Sequence, residues 1–135
     1  MADNGVNPTA VDAIAAVCTK YPELCASGMG VDTGQARSPI DAGQFERAVF
    51  WITLRCKKLS RVSTVRSSYA YKHLVEKELR EANAAAPGVL VRDNSGLYVS
   101  NGAFISAALH LGYRIERTYS SGGNVYLNMS VGSKV

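Results

Sequence analysis

No apolar run in this chain approaches the ~20 residues that a membrane-spanning helix needs; the longest, residues 13–18 and 48–52, are a quarter to a third of that. Charge is sparse, at 19% against ~25% in ordinary soluble domains, and that argues against a coiled coil. The 47% apolar content in turn excludes wholesale disorder. Cysteine is scarce too. Cys18, Cys25 and Cys56 leave at least one thiol unpaired, and a Cys18–Cys25 disulfide stays open. His73 and His110 are the only histidines and no two soft ligands are closely paired, so the spacing of a structural zinc site is missing. The opening Met-Ala-Asp-Asn-Gly carries neither the positive charge nor the apolar stretch of a secretory signal, so the expectation is a reduced, cytoplasmic chain.

Enzyme signatures are also missing. The sequence holds no G-x-S-x-G, H-E-x-x-H or G-x-x-x-x-G-K-[ST]. Lys72, His73 and Glu76 fall within one helical turn, which permits a base beside a carboxylate, but such residues on a basic helix are ordinarily solvated. Gly122-Gly123 reads as a turn pair and not a phosphate loop. The expectation is therefore a non-enzyme with no catalytic residue, metal or cofactor.

What is present is a local excess of positive charge. The net charge is +4, yet residues 1–54 sum to −3 and residues 81–135 to +1. Residues 55–80 hold Arg55, Lys57, Lys58, Arg61, Arg66, Lys72, Lys77 and Arg80 against Glu76 and Glu78, a local +6. A concentrated patch of this kind attracts polyanions if folding gathers it on one surface.

The length of 135 residues fits one domain. Asn7-Pro8-Thr9 starts a first helix, with Val11, Ile14, Ala15 and Cys18 as its buried stripe and Tyr21-Pro22 as its stop. Residues 26–39, with three glycines and no periodicity, read as a linker. The chain thus divides into an N-terminal helix (1–25), a flexible linker (26–40) and a core (41–135). Ser38-Pro39-Ile40-Asp41 opens a second helix to about Leu59, its stripe formed by Phe45, Val49, Ile52 and Cys56, widened by Ala48, Trp51 and Leu59. The β-branched stretch 60–64 breaks it. A third helix covers about 67–85, lined by Tyr71, Leu74, Val75, Leu79 and Ala82, and Pro87-Gly88 ends it. Val89-Leu90-Val91 and Leu97-Tyr98-Val99 flank a turn cluster as a small hairpin or one broken strand. Ser100 caps a short helix over about 101–111, with Gly112 in the position of a left-handed C-cap. Two period-two runs, 113–119 and 125–131, joined by Ser120-Ser121-Gly122-Gly123-Asn124, predict a C-terminal hairpin.

The fold class is therefore α+β, a helical core with a C-terminal β-hairpin, winged-helix-like. In a winged helix-turn-helix domain residues 120–124 form the wing tip and the last helix enters the major groove, which is about 12 Å wide. Ser100 and Asn101 then face base edges, and Arg114 and Arg117 reach flanking phosphates. Two features sit poorly with this. The connection into the last helix is some fifteen residues long, where helix-turn-helix turns take three or four, and that helix is nearly uncharged. A second arrangement makes residues 44–59 and 67–85 the DNA-facing unit, with Arg55, Lys57, Lys58, Arg61, Arg66 and Lys72 on phosphates.

The segments Ser68-Tyr69-Ala70-Tyr71-Lys72-His73-Leu74-Val75-Glu76 and Tyr98-Val99-Ser100-Asn101-Gly102-Ala103-Phe104-Ile105 resemble short uncharacterised proteins of phages and other mobile elements. The resemblance covers about residues 67–130. It implies a regulatory or host-interaction role and no particular chemistry. Charge and element order together lead to a small binder of nucleic acid, duplex DNA in the first instance. The alternative is a protein-binding accessory factor whose basic face meets an acidic or nucleic-acid-binding surface of a host defence complex. Neither reading involves a membrane, and both are compatible with a homodimer. Tyrosines interleaved with basic residues can stack on unpaired bases; of the seven, only Tyr69 and Tyr71 adjoin the basic run.

Overall fold

The centre of the molecule is a helix with no charged residue before its last position. In the computed structural model, which describes residues 8–29, 39–86, 97–117 and 123–132, the first eight residues of Asn101–His110 are all buried. Small side chains (Ala103, Ala107, Ala108) beside large ones (Phe104, Ile105) let neighbours approach it from several sides. Around it pack helices α1 (Pro8–Lys20), α2 (Ala42–Arg55) and α3 (Ser68–Ala85), with Asn101–His110 itself α4. Phe104 stacks on Tyr71 at 5.5 Å between ring centroids and meets Trp51 edge-on at 6.3 Å. These rings join α2, α3 and α4 into one core.

Two sheets complete an α+β fold. Leu24–Cys25 (β1) pairs antiparallel with Gly28–Met29 (β2). Cys56–Ser67 (β3), Ile115–Arg117 (β4) and Val125–Val131 (β5) form a second sheet in the order β3-β5-β4, with both pairings antiparallel. The C-terminal hairpin is present as the alternation predicts. Ile115 faces Leu127 and Arg117 faces Val125 across the ladder, and Val125, Leu127 and Met129 form the buried face. Gly112 follows α4 at φ +90°, a conformation that penalises any side chain, so its role as a C-cap holds.

The main correction lies between the second and third helices. α2 stops at Arg55, and Cys56 turns to φ −114°, ψ 154° while its N–H still bonds Ile52 O. The helix passes straight into a twelve-residue strand with no glycine or proline between them. Residues 57–59, read as helix, and 60–64, read as a break, are therefore both β3. The Val-Ser-Thr-Val content favours extended backbone, but β3's pairing partners lie 59 to 75 residues away. β3 is irregular. From Lys58 to Ser63 it spends five residues against two on β5, and from Ser63 to Ser67 four against one. The surplus bulges outward, leaving Val65 81% exposed. Asn128 fills the gap beside the first bulge: its Oδ1 accepts from Arg114 N at 2.6 Å and its Nδ2 donates to Leu59 O at 3.0 Å.

Smaller corrections have local causes. α1 is rotated by about one residue, burying Ala10 and Val17 and leaving Val11 exposed, because it packs on α2 and α4 together. Of the stretch read as linker, residues 26–29 are held: Gly102 N donates to Ala26 O at 2.9 Å and Met29 N to Gly123 O at 2.9 Å. Of the hairpin expected at 89–99, residues 87–96 lie outside the described residues. Residues 97–99 form no strand, since side chains saturate the backbone here. Arg47 Nη2 donates to Tyr98 O at 3.0 Å, Val99 N to Glu76 Oε2 at 3.0 Å and Ser100 N to Gln44 Oε1 at 2.9 Å.

Two groups, the half-buried Cys56 and the buried Tyr113, make the fold sensitive to alkali. Burial, the largest cause, pushes the Cys56 thiol from 9.0 up to about 12; Arg55 opposes it and Glu78 adds to it. Burial likewise raises Tyr113 from 10.0 to about 12, with Cys56 and Tyr71 adding like charge. Both groups hold their proton more tightly folded than unfolded. Their contribution is complete below pH about 9 and is lost as pH climbs toward about 12. The melting temperature followed by circular dichroism should fall across that interval, and Cys56→Val should move the onset upward. An unchanged onset would show that the thiol is not the first group to yield.

Candidate nucleic-acid interface

The ten residues expected to touch nucleic acid divide sharply in the folded chain. Four are consumed in holding the fold. Ser100 is 5% exposed, and its Oγ caps α4 by accepting from Ala103 N at 3.0 Å. Asn101 is 6% exposed, and its Nδ2 donates to Ser27 O, Gly123 O and Asn124 Oδ1 at 3.0–3.4 Å. Neither can meet a base edge, because the whole N-terminal end of α4 is covered by β1 and β2. Lys72 is buried, its Nζ 3.0 Å from Glu76 Oε2. Arg55 is largely buried against Glu78, with Nε at 2.8 Å and Nη2 at 3.1 Å, and it donates to Gly132 O at 2.6 Å. That hydrogen bond to Glu78 raises the guanidinium pKa further. Trp51 Nε1 shares Glu78 Oε1 at 2.8 Å, so this carboxylate joins α2 to α3.

Arg117 stands on the surface, paired with Glu23 at 2.7 Å; an exposed pair of this type contributes about 0–1 kcal/mol. The other five are Lys57, Lys58, Arg61 and Arg66 on β3, and Arg114 just before β4. All five are exposed. Among the described residues no carboxylate lies within ion-pair distance of any of them. Lys58 arches over Gly112 with its Nζ 5.5 Å from the Tyr113 ring centroid. Arg114 Nη2 reaches back to Ser60 O at 2.7 Å, which ties it to the first bulge beside Arg61. Arg66 lies over the Tyr71 ring at 5.9 Å.

β3 is an edge strand, and lysine and arginine on an edge keep it from pairing with another sheet. That role asks for one or two charges. Here the part of β5 that pairs with β3, Tyr126 to Val131, spans only about 17 Å at ~3.4 Å per residue, and the bulges compress four cations into it. The same length of duplex carries about ten phosphates. On α3, Lys77 is paired with Glu81 at 2.9 Å, Arg80 is exposed, and tyrosine and histidine lie nearer to Arg66 in the chain.

Beyond Arg66 is a group that the charge pattern does not reveal. Glu76, 7% exposed, accepts from Lys72 and from Val99 N and lies 3.3 Å from His73 Nδ1. The Lys72 ammonium sits between two rings, 4.5 Å from the Tyr98 centroid and 5.7 Å from that of Tyr69, and His73 meets Tyr69 edge-on at 4.4 Å. The i, i+4 spacing of Lys72 and Glu76 was visible in the sequence; their burial and the approach of Tyr98 were not.

Elsewhere, α1 and α2 leave an apolar groove of about 530 Å³ beside Phe45, Val49, Phe50 and Leu54. The three cysteines are free thiols. Among the described residues no three metal-ligating side chains gather, and no helix is long and apolar enough to cross a membrane. Comparison of the chain with protein-family models, curated proteins and solved structures finds no match.

Proposed function

We propose that this protein binds nucleic acid through the sugar-phosphate backbone, using the edge of β3, as a regulatory or accessory factor. The observation that supports it best is the row of cations Lys57, Lys58, Arg61 and Arg66 on one bulged strand, without an ion-pair partner among the described residues, with Arg114 alongside. Bulges lift the charged tips off the ladder while the ladder holds their bases, so the row presents a positive surface at little further cost in entropy. The element sequence α2-β3-α3-α4-β4-β5 is compatible with a winged helix whose usual reading helix has been taken into the core. Contact then moves from α4 to the sheet edge. With the first eight residues of α4 buried and so withdrawn from base edges, binding of duplex should be insensitive to sequence.

The salt dependence measures the contact. Five cations, at ~0.9 counterions per phosphate neutralised, give a slope of log K against log salt of about −4.5 on duplex. Fluorescence anisotropy on a random duplex should therefore show binding weakening by about 500-fold between roughly 50 and 200 mM salt. Replacing Arg61 and Arg66 together with alanine should make the slope shallower by about 1.8. Absence of binding at the lower salt would overturn the reading.

A further inference from the structure

We infer that the surface where β3 runs into α3 is a stacking site for unpaired nucleobases, built from Tyr69 and Tyr98 around the Lys72 ammonium. This rests on the backbone reading above and narrows its ligand to single-stranded nucleic acid. The tyrosines are 50% and 52% exposed, although each could have been buried as Tyr71 and Tyr113 are. Lys72 occupies one side of each ring, and Glu76 holds it there. The remainder of each ring is exposed, and His73 packs against Tyr69 in a T-shaped contact. A ring held in that way, beside a cation, is what a base stacks upon, whatever its identity.

Position and chemistry agree with this. Arg66, the last cation of β3, is three residues before Tyr69, so a strand whose phosphates follow β3 delivers its next bases to the tyrosines. Between the rings and α4 lies a cleft of about 510 Å³ lined by Asp41, Gln44, Ser100 and Asn101 as well as the two tyrosines. Its polar lining suits the hydrogen-bonding edge of a base.

The experiment compares a labelled thymidine oligonucleotide with a duplex of equal length, by anisotropy at one salt concentration. The single strand should bind about tenfold tighter than the duplex. Tyr98→Ala and Tyr69→Ala should each weaken single-strand binding by about 5- to 150-fold, the equivalent of about 1–3 kcal/mol per stacked base. Duplex binding should change less than about twofold, Tyr98→Phe should retain affinity because it keeps the ring, and circular dichroism should confirm that each variant is folded. If folded tyrosine variants bind the single strand like the parent while Arg61→Ala with Arg66→Ala weakens both ligands, the stacking site is wrong and the backbone reading stands. If the parent binds neither ligand, both fall.

Discussion

Glu76→Ala is expected to destabilise the protein by about 3–5 kcal/mol, the range for removing one partner of a buried ion pair. The carboxylate has three neighbours: the Lys72 ammonium at 3.0 Å, Val99 N at 3.0 Å and His73 Nδ1 at 3.3 Å. Deleting it leaves a lysine that is 6% exposed without a counter-charge and a buried amide without an acceptor. A loss of this size is a large part of the ~5–15 kcal/mol that holds a domain together. Glu76→Gln isolates the charge, because its amide oxygen can still accept from Val99, so it should cost less. Replacing both partners with apolar residues, Lys72→Met with Glu76→Leu, should recover most of the loss, since no orphaned charge remains. Urea unfolding of the four proteins reads all of these differences. A cost below about 1 kcal/mol for Glu76→Ala would show that water screens the pair as it does at a surface. The double variant also separates stability from binding, as it removes the ammonium between Tyr69 and Tyr98 while leaving a filled interior.

Gly102→Ala is the second large effect, expected to cost about 3 kcal/mol or more. A Cβ at position 102 would stand 1.8 Å from Cys25 O, 2.7 Å from Cys25 C and 2.9 Å from Ala26 Cα. All three are backbone atoms, so no side chain can rotate away to make room. Relief requires the β1–β2 hairpin to move off α4, which lengthens the bond from Gly102 N to Ala26 O and disturbs the three bonds of Asn101. Alanine ordinarily stabilises a helix relative to glycine by about 1 kcal/mol, so the sign of the result discriminates cleanly. Thermal unfolding should show a drop of several degrees. A rise would mean that the hairpin does not rest on α4. Binding of duplex is expected to survive in whatever fraction stays folded, because β3 lies on the other sheet.

The interior of the helices was largely legible because it is written at short range. Phe45, Ala48, Trp51 and Ile52 on α2, and Tyr71, Val75 and Leu79 on α3, recur at the helical period and are buried where that period puts them. The cap Ser100 sits directly before its helix and accepts from Ala103 N, three positions on; the opening expected over Ser38 to Asp41 resolves to its last residue, Asp41, which caps α2 from Gln44 N. The C-terminal hairpin was equally legible from alternation around a glycine turn. The candidate interface was legible only as composition. Residues 55–80 announce their charge, but the side chains that became exposed were chosen by partners far away in sequence. Lys57 and Arg61 are exposed because β3 pairs with β5. Arg55 is neutralised because α3 brings Glu78 to it, and Lys72 is enclosed because Tyr98 and Val99 close over α3.

The amino-acid sequence alone therefore determined the elements whose stabilising partners lie within a turn or a hairpin: the α2, α3 and α4 helices, their caps, and the β4–β5 pair. Tertiary structure decided the rest: that residues 56–67 extend instead of coiling, that α4 is enclosed instead of presented, and that Arg55 and Lys72 of the +6 segment turn inward onto Glu78 and Glu76. The physical reason is common to all three. Strand pairing, burial of a helix on every side and neutralisation of a charge each depend on groups that only the folded chain brings within a few ångströms, and no local periodicity records where those groups will be.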